Sequence, residues 1–283
     1  MAKPIGKTAL ITGSTDGVGR VVATRLGQDG WRVLVHGRDR ERGERVVSEI
    51  KNAGGAAEFL AADLASLADV RRLAEAVHKT TERLELLINN AGVGSGGQQG
   101  VRQTSANGYE LRFAVNYLAG FMLAQLLLPL IEKSAPARIV NVSSLGQQAI
   151  DFDDVMLTRG YSGSRAYCQS KLAQILFTID LADELEGTGV TVTALHPATY
   201  MNTTMVRLSG VTPISSVEEG ADAILKLAVS PQVEEQSGRY VNGQREARAD
   251  AQAYDAGARR QLKALSFELT GLAPKRSAAA AGR

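Results

Sequence analysis

The chain has 283 residues, room for two small domains or one large α/β domain, and its 44% hydrophobic and 22% charged content excludes a mainly disordered, collagen-like or disulfide-stapled protein. Lys and Arg number 32 against 30 Asp and Glu, and a formal charge of +2 over such a length argues against a nucleic-acid partner. The single cysteine, Cys168, excludes an internal disulfide and a multi-cysteine zinc site and points to a reducing, cytoplasmic setting. The first residues carry no apolar signal core, and we read no window of about 18 uncharged apolar residues, so no membrane anchor is expected.

In chain order, short β-type runs alternate with longer amphipathic ones. Residues 8–12 and 31–35 are apolar and β-prone, and helical patterns over 17–29 and 39–53 follow them. A third strand over 58–62 precedes a helix over 66–83, where Ser66 and Asp69 have capping-box spacing, and residues 86–88 make a fourth strand. Residues 109–133 read as a long, mostly apolar helix, 138–142 as a fifth strand, 165–186 as a helix and 190–195 as a β-branched sixth strand. Residues 198–216, with Pro213 and several Thr and Ser, break the rhythm and read as a long loop with a short helix, the sort of element that lids a pocket. A helix over 217–229, a last strand over 237–241 and a closing helix over 247–269 complete the pattern.

This alternation predicts a Rossmann-type α/β fold, a doubly wound parallel sheet of about seven strands with helices on both faces. No linker interrupts it, so residues 1–270 are expected to form one dinucleotide-binding and catalytic domain, with 271–283 a mobile tail. Ligands of such sheets bind beyond the carboxyl ends of the strands, which directs attention to the segments after Thr12, Val35, Ala62, Ile88, Val142 and Leu195.

After the first strand stands Thr12-Gly13-Ser14-Thr15-Asp16-Gly17-Val18-Gly19, leading into a helix. Glycines here allow a tight turn and close approach of backbone to a pyrophosphate, and the helix N-terminus favours the anion. Composition alone produces such a pattern about 0.02 times in this chain. Further on, Tyr167 and Lys171 are spaced i to i+4 in a helical stretch, so phenol and ammonium share one face. That pairing alone is weak, but the topology expected above brings it to the sheet edge that holds the glycine loop, Asn89-Asn90-Ala91-Gly92 and Ser143-Ser144.

At these residues the chain resembles the short-chain dehydrogenase/reductase family, over roughly residues 5–245. The resemblance rests on the glycine loop, Asp63-Leu64, Asn89-Asn90-Ala91-Gly92, Asn116, Val142-Ser143-Ser144, Tyr167 with Lys171, and His196-Pro197, all in the family's order. Residues 166–177 and 187–197 are most similar to the retinol-dehydrogenase-like branch, and residues 147–164 match the insertion that branch carries between its serine and tyrosine. The resemblance implies an oxidoreductase that moves hydride between a nicotinamide dinucleotide and a small to medium carbonyl or alcohol. It makes Tyr167 the general acid/base, Lys171 the cation that favours the phenolate, Ser144 rather than Ser143 the hydroxyl that holds the substrate oxygen, and Asn116 the support of a proton relay. Lowering a phenol from its usual value near 10 by three units requires about 4 kcal/mol, and a nearby ammonium is suited to supply much of it.

For the cofactor the resemblance implies contacts from Gly13, Ser14, Thr15, Asp16, Gly17, Val18 and Gly19, from the adenine pair Asp63 and Leu64, from Asn90, Ala91 and Gly92, from Tyr167 and Lys171, and from Pro197 and Thr199. Gly37 followed by Arg38 offers room and a positive fork for a 2′-phosphate, which favours NADP(H) over NAD(H), although Asp16 sets a carboxylate nearby. Where the family usually has Pro-Gly after the sixth strand this chain has Pro197-Ala198, and its loop over 92–97 is unusually rich in glycine, as suits a mobile segment beside the site. His36, His78 and His196 fall on different elements and no metal is expected, while Cys168 reads as a packed thiol. Family likeness implies a homodimer or homotetramer formed through the helices over 109–133 and 165–186. The competing reading is a catalytically silent dinucleotide-binding sensor or interaction protein.

Overall fold

A computed structural model describes residues 6–96 and 101–274. The first half alternates strictly: β1 (Thr8–Ile11), α1 (Gly17–Gln28), β2 (Arg32–Gly37), α2 (Arg40–Asn52), β3 (Ala56–Ala61), α3 (Leu67–Thr80) and β4 (Leu86–Asn89). A π-helical turn, Phe113–Leu118, then runs into α4 (Ala119–Lys133), followed by β5 (Ala137–Val142), α5 (Gly163–Glu184), β6 (Val190–His196), α6 (Thr204–Leu208), α7 (Val217–Val229), β7 (Arg239–Asn242), β8 (Arg245–Glu246) and α8 (Ala256–Thr270).

The strands form one sheet in the order β3-β2-β1-β4-β5-β6-β7-β8, parallel except that β8 runs antiparallel to β7. The order reverses between β1 and β4, the switch point where such sheets open a crevice. Alternation along the strands divides the core in two. Leu10, Leu34, Leu87 and Ile139 point to the side covered by α3, α4 and α5, and Ala9, Ile11, Val33, Val35, Ile88 and Val140 to the side covered by α1, α2 and α7. Both β1 and β4 are buried along their whole length, as central strands must be, whereas edge strand β3 alternates.

The doubly wound expectation holds, with four refinements. The sheet has eight strands rather than about seven; β8 is two exposed residues after a turn at Gly243 (φ +59), too short to leave a periodic signal. The closing helix starts at Ala256 rather than at 247, because Asp255 caps it by accepting from the main-chain N–H of Gly257 and Ala258. The helix over 109–133 widens at Phe113–Leu118. Finally, Phe113–Lys133 is long and apolar enough to cross a membrane by length and composition, a window our sequence reading missed; 72% of its most apolar stretch lies buried inside this fold. A helix enclosed on nearly all sides is apolar all round for that reason alone. The tail over 275–283 and Gly97 of the glycine-rich loop lie outside the described residues.

Candidate active site

The glycine loop is locked to the end of β4. Thr12 Oγ1 accepts from the N–H groups of Asn90 and Ala91, both at 3.0 Å, and the Asn90 amide donates to the carbonyls of Thr12 at 2.8 Å and Gly13 at 3.1 Å. A Cβ at Gly13, where φ is +65, would come within 2.9 Å of Ala91 Cα, and one at Gly19 within 2.4 Å of the Gly13 carbonyl. Only glycine permits this approach of helix to strand. Ser14 is fully buried, donates to the Ile11 carbonyl and accepts from the His36 N–H, so its hydroxyl belongs to the frame rather than to a ligand. Asp16 caps α1 by accepting from Gly17 N–H, Val18 is buried, and the first turn of α1 offers its unpaired N–H groups to the crevice. Thr15 sits against Gly37, where a Cβ would be 2.5 Å from Thr15 Cγ2.

His36 accepts from Gly13 N–H through Nδ1 at 3.1 Å, and burial pushes its pKa down to about 4, so it is a neutral brace for the loop. No cluster of potential metal ligands occurs among the described residues. Arg38 is exposed immediately beyond Gly37. One turn later Arg42, which the sequence reading did not single out, lies 3.8 Å from the Asp16 carboxylate and 3.4 Å from Asp39. The i to i+4 spacing of Arg38 and Arg42 at the start of a helix was the available signal. Asp63 accepts from Ala65 N–H in the turn before α3, and the Leu64 side chain is in the core, which leaves only its main chain for a ligand.

The four residues singled out for chemistry converge at the ends of β4, β5 and α5. The π-helical turn presents Asn116 sideways: its Oδ1 accepts from Val93 N–H at 2.7 Å, and its Nδ2 donates to the Val93 carbonyl and to Ser170 Oγ at 3.0 Å. A Cβ at Gly92 would lie 3.3 Å from Asn116 Oδ1 and 3.6 Å from Lys171 Nζ, so that glycine separates the two groups. Lys171, buried, donates to the Val142 carbonyl at 2.8 Å and to Gln174 Oε1 at 3.0 Å, and stands 5.8 Å from the centre of the Tyr167 ring. Ser144 Oγ accepts from Gly146 N–H and shares a side-chain hydrogen bond with the Tyr167 phenol. Ser143 instead donates to the Lys171 carbonyl at 2.7 Å, which commits it to the frame, whereas Ser144 is the serine bonded to the Tyr167 phenol.

Burial raises the Tyr167 phenol above its usual value, against the bond from Ser144, and the same burial pushes Lys171 down to about 7. At the phenol desolvation is the largest influence and the Ser144 bond opposes it, while Lys171 gives its hydrogen bonds to Val142 and Gln174. Gln174 was missed although it lies on the Lys171 face, three residues on. Tyr240, missed because β7 is distant in sequence, donates to the Ser144 carbonyl at 2.9 Å. Pro197 is buried, and Thr199 Oγ1 lies 3.0 Å from His196 Nε2. Burial raises the Cys168 thiol, in keeping with a packed cysteine.

A family model described as short chain dehydrogenase matches residues 7–211. The chain belongs to the short-chain dehydrogenase family. Its relatives in that family include human retinol dehydrogenase 13, 37% identical over 94% of this chain and 85% of that protein, and human retinol dehydrogenase 11, 36% identical over 94% and 87%. Among solved structures, an uncharacterized protein from Mycobacterium paratuberculosis is 30% identical with a TM-score of 0.77, covering 95% of this chain and 94% of its own. The NADP active-site complex of RhlG from Pseudomonas aeruginosa is 29% identical with a TM-score of 0.71, covering 85% and 95%. This short-chain dehydrogenase is thus an NAD(P)-dependent oxidoreductase of the retinol-dehydrogenase-like branch.

Proposed function

We propose that the protein is an NADP(H)-dependent oxidoreductase that interconverts a carbonyl and an alcohol on a small to medium, fairly apolar substrate. The observation that carries this reading is the convergence of the Ser144 hydroxyl, the Tyr167 phenol and the Lys171 ammonium beside Gly92 and Asn116. Gly13, Gly19 and Gly37 let the loop over 13–19 pack against Ala91, Asn90 and the end of β2, where a Cβ would strike the frame, and this close approach supports a main-chain pyrophosphate cradle at the helix N-terminus. The main chain of residues 13–19 would hold the pyrophosphate, Arg38 the 2′-phosphate, Asp63 and Leu64 the adenine, and Asn90, Ala91 and Gly92 the inner ribose with Tyr167 and Lys171. Pro197 and Thr199 would hold the carboxamide. Bound nicotinamide supplies or accepts the hydride.

The protein's own part is proton transfer and alignment. Ser144 holds the substrate oxygen within reach of Tyr167, whose phenol gives a proton to the oxygen in reduction and takes it back in oxidation. A phenol raised by burial stays protonated at neutral pH, the form that reduction requires. Asn116 bonds main chain and Ser170 and so keeps the neighbourhood of Lys171 fixed. Arg42 beside Asp16 offsets the carboxylate that would otherwise repel a 2′-phosphate. The lone cysteine supports a reducing, cytoplasmic setting, and the burial of most of the apolar helix over 113–133 supports its reading as a core helix.

Following nicotinamide absorbance over a panel of aldehydes and ketones tests the reading. Turnover is expected with NADPH, and Tyr167→Phe is expected to lose about a thousandfold in kcat. A variant as fast as the wild type on a proven substrate overturns the acid/base role, and tight NADPH binding without turnover anywhere favours the silent sensor. Arg38→Ser is expected to raise KM for NADPH by about tenfold while leaving NADH nearly unchanged; an unchanged ratio overturns the cofactor preference.

A further inference from the structure

The two helices through which family likeness expects subunits to pair are already covered. Along Phe113–Lys133 only Pro129 and Lys133 are exposed, and between Gln169 and Ala182 on α5 no residue is exposed. The cover is α8. Its Phe267 ring stacks edge-on against Phe121 at 5.2 Å, extending an aromatic cluster that runs through Phe177, and its Ser266 hydroxyl meets the buried Tyr117 phenol at 2.6 Å. Tyr109 donates to the Leu269 carbonyl at 3.0 Å. At the rim Lys263 bridges to Asp180 at 3.1 Å and to Glu184. The contact therefore has an aromatic centre, a satisfied buried hydroxyl pair and a charged margin, the composition of a specific protein interface.

We infer that α8 is this chain's built-in substitute for a second subunit: it occupies the α4/α5 face, so the protein does not associate through those helices. A symmetric pairing of two copies needs the same patch free on each, and here the apolar part of that patch is enclosed within one chain. Displacement of α8 would expose Phe121, Phe177 and Leu181 together, a patch that a second copy can cover.

Sedimentation equilibrium of the full chain from micromolar to hundreds of micromolar is expected to give the mass of one chain throughout. A dimer whose formation protects the amides of 113–133 and 163–184 from exchange overturns the inference. Carbodiimide treatment of an equal mixture of ¹⁴N- and ¹⁵N-labelled protein is expected to join Lys263 to Asp180 or Glu184 only within chains of one isotope. Mixed-isotope links at these residues would mean that α8 crosses to a partner, which also overturns it. Phe267→Asp places a carboxylate against the aromatic cluster and, if the sheet stays folded by circular dichroism, is expected to shift the sedimentation-equilibrium mass from one chain toward two as concentration rises. A folded variant with α8 released that remains monomeric would show that the face is not a latent pairing surface. Where this variant does not fold, the isotope experiment on the wild type decides.

Discussion

Two segments flank the candidate site, residues 147–164 beyond Ser144 and residues 198–216 beside Gly17 and Gly94, and they are built on opposite principles. The first is held by polar bonds at almost every turn. Gln147 donates to the Ser144 carbonyl and accepts from Asp250 N–H, Ile150 exchanges two bonds with the Gln252 side chain, and Asp151 pairs with Arg165 at 2.7 Å. Its far end is fixed by Tyr161 bonded to a buried pair, Glu110 and Arg112. Arg112 pairs with Glu110 at 3.3 Å and donates to Tyr161 at 2.7 Å, while its other nitrogens reach the carbonyls of Gly94 and Ser95 in the glycine-rich loop. The second segment has no buried residue in α6 and shows water much of its apolar surface: Leu208 is 82% exposed, Ile214 70% and Tyr200 51%. It touches the rest through Thr203 at Gly17, Met205 at Gly94 and Met201 at Gly220. On the proposed reading, a wall that cannot move without stranding buried charge would fix where chemistry occurs, and a wall of exposed apolar side chains would adapt to what enters. The glycine-rich loop, expected from composition to be mobile, belongs through Arg112 to the fixed wall as far as residue 95.

The largest effect expected from this contrast is at Arg112. Arg112→Met leaves the Glu110 carboxylate buried without its partner and frees the loop over 92–95, at a cost of about 3–5 kcal/mol. The urea midpoint should fall accordingly, and the double change with Glu110→Leu should recover much of the loss because no charge then stays stranded. A single variant within about 1 kcal/mol of the wild type would mean that the fixed wall does not depend on this pair.

The next effect depends on pH. Lys171 has a folded pKa near 7 against an ordinary 10.5, so between those values the unfolded chain binds more protons and stability rises with pH. Below about 7 both states are protonated and the cost of burying the ammonium is complete. Lys171→Met removes that dependence. Its melting temperature relative to the wild type should therefore climb as pH falls from 10 to 7 and level off below, while activity is lost. Parallel curves over that range would show that the ammonium is not desolvated in the folded protein.

Much of this was legible in the sequence, for identifiable reasons. Strands buried on both faces and glycines that admit no Cβ leave strong local signals, and Gly13, Gly19 and the edge of Asn90 to Gly92 were found from them. Tyr167 and Lys171 share a face by helical spacing, a weak signal by itself that gained weight from the glycine loop, Asn89 to Gly92 and Ser143-Ser144 expected at the same sheet edge. What escaped depends on contacts distant in sequence. Ser14 has the composition of a phosphate loop, yet its hydroxyl is taken up by Ile11 and His36. Tyr240 reaches Ser144 across 96 positions. The apolar helix over 113–133 cannot be told from a membrane span until α8 is seen lying on it. Likewise the direction of the Tyr167 shift depends on how deeply the ring is enclosed, which no spacing reports.

The smallest effect should come from the adaptable wall. Leu208→Ser and Ile214→Ser remove side chains that are 82% and 70% exposed, so thermal or urea unfolding should move by no more than about 0.5 kcal/mol. On the proposed reading the same side chains gain contact only when an apolar substrate enters. KM for a long-chain aldehyde should then rise by about threefold to tenfold, with kcat for a short aldehyde unchanged. Equal losses on short and long substrates would place the effect on the reacting groups rather than on the wall. A stability loss as large as that of Arg112→Met would remove the distinction between the two segments altogether, because it would require α6 to be anchored by contacts that its exposed side chains do not make.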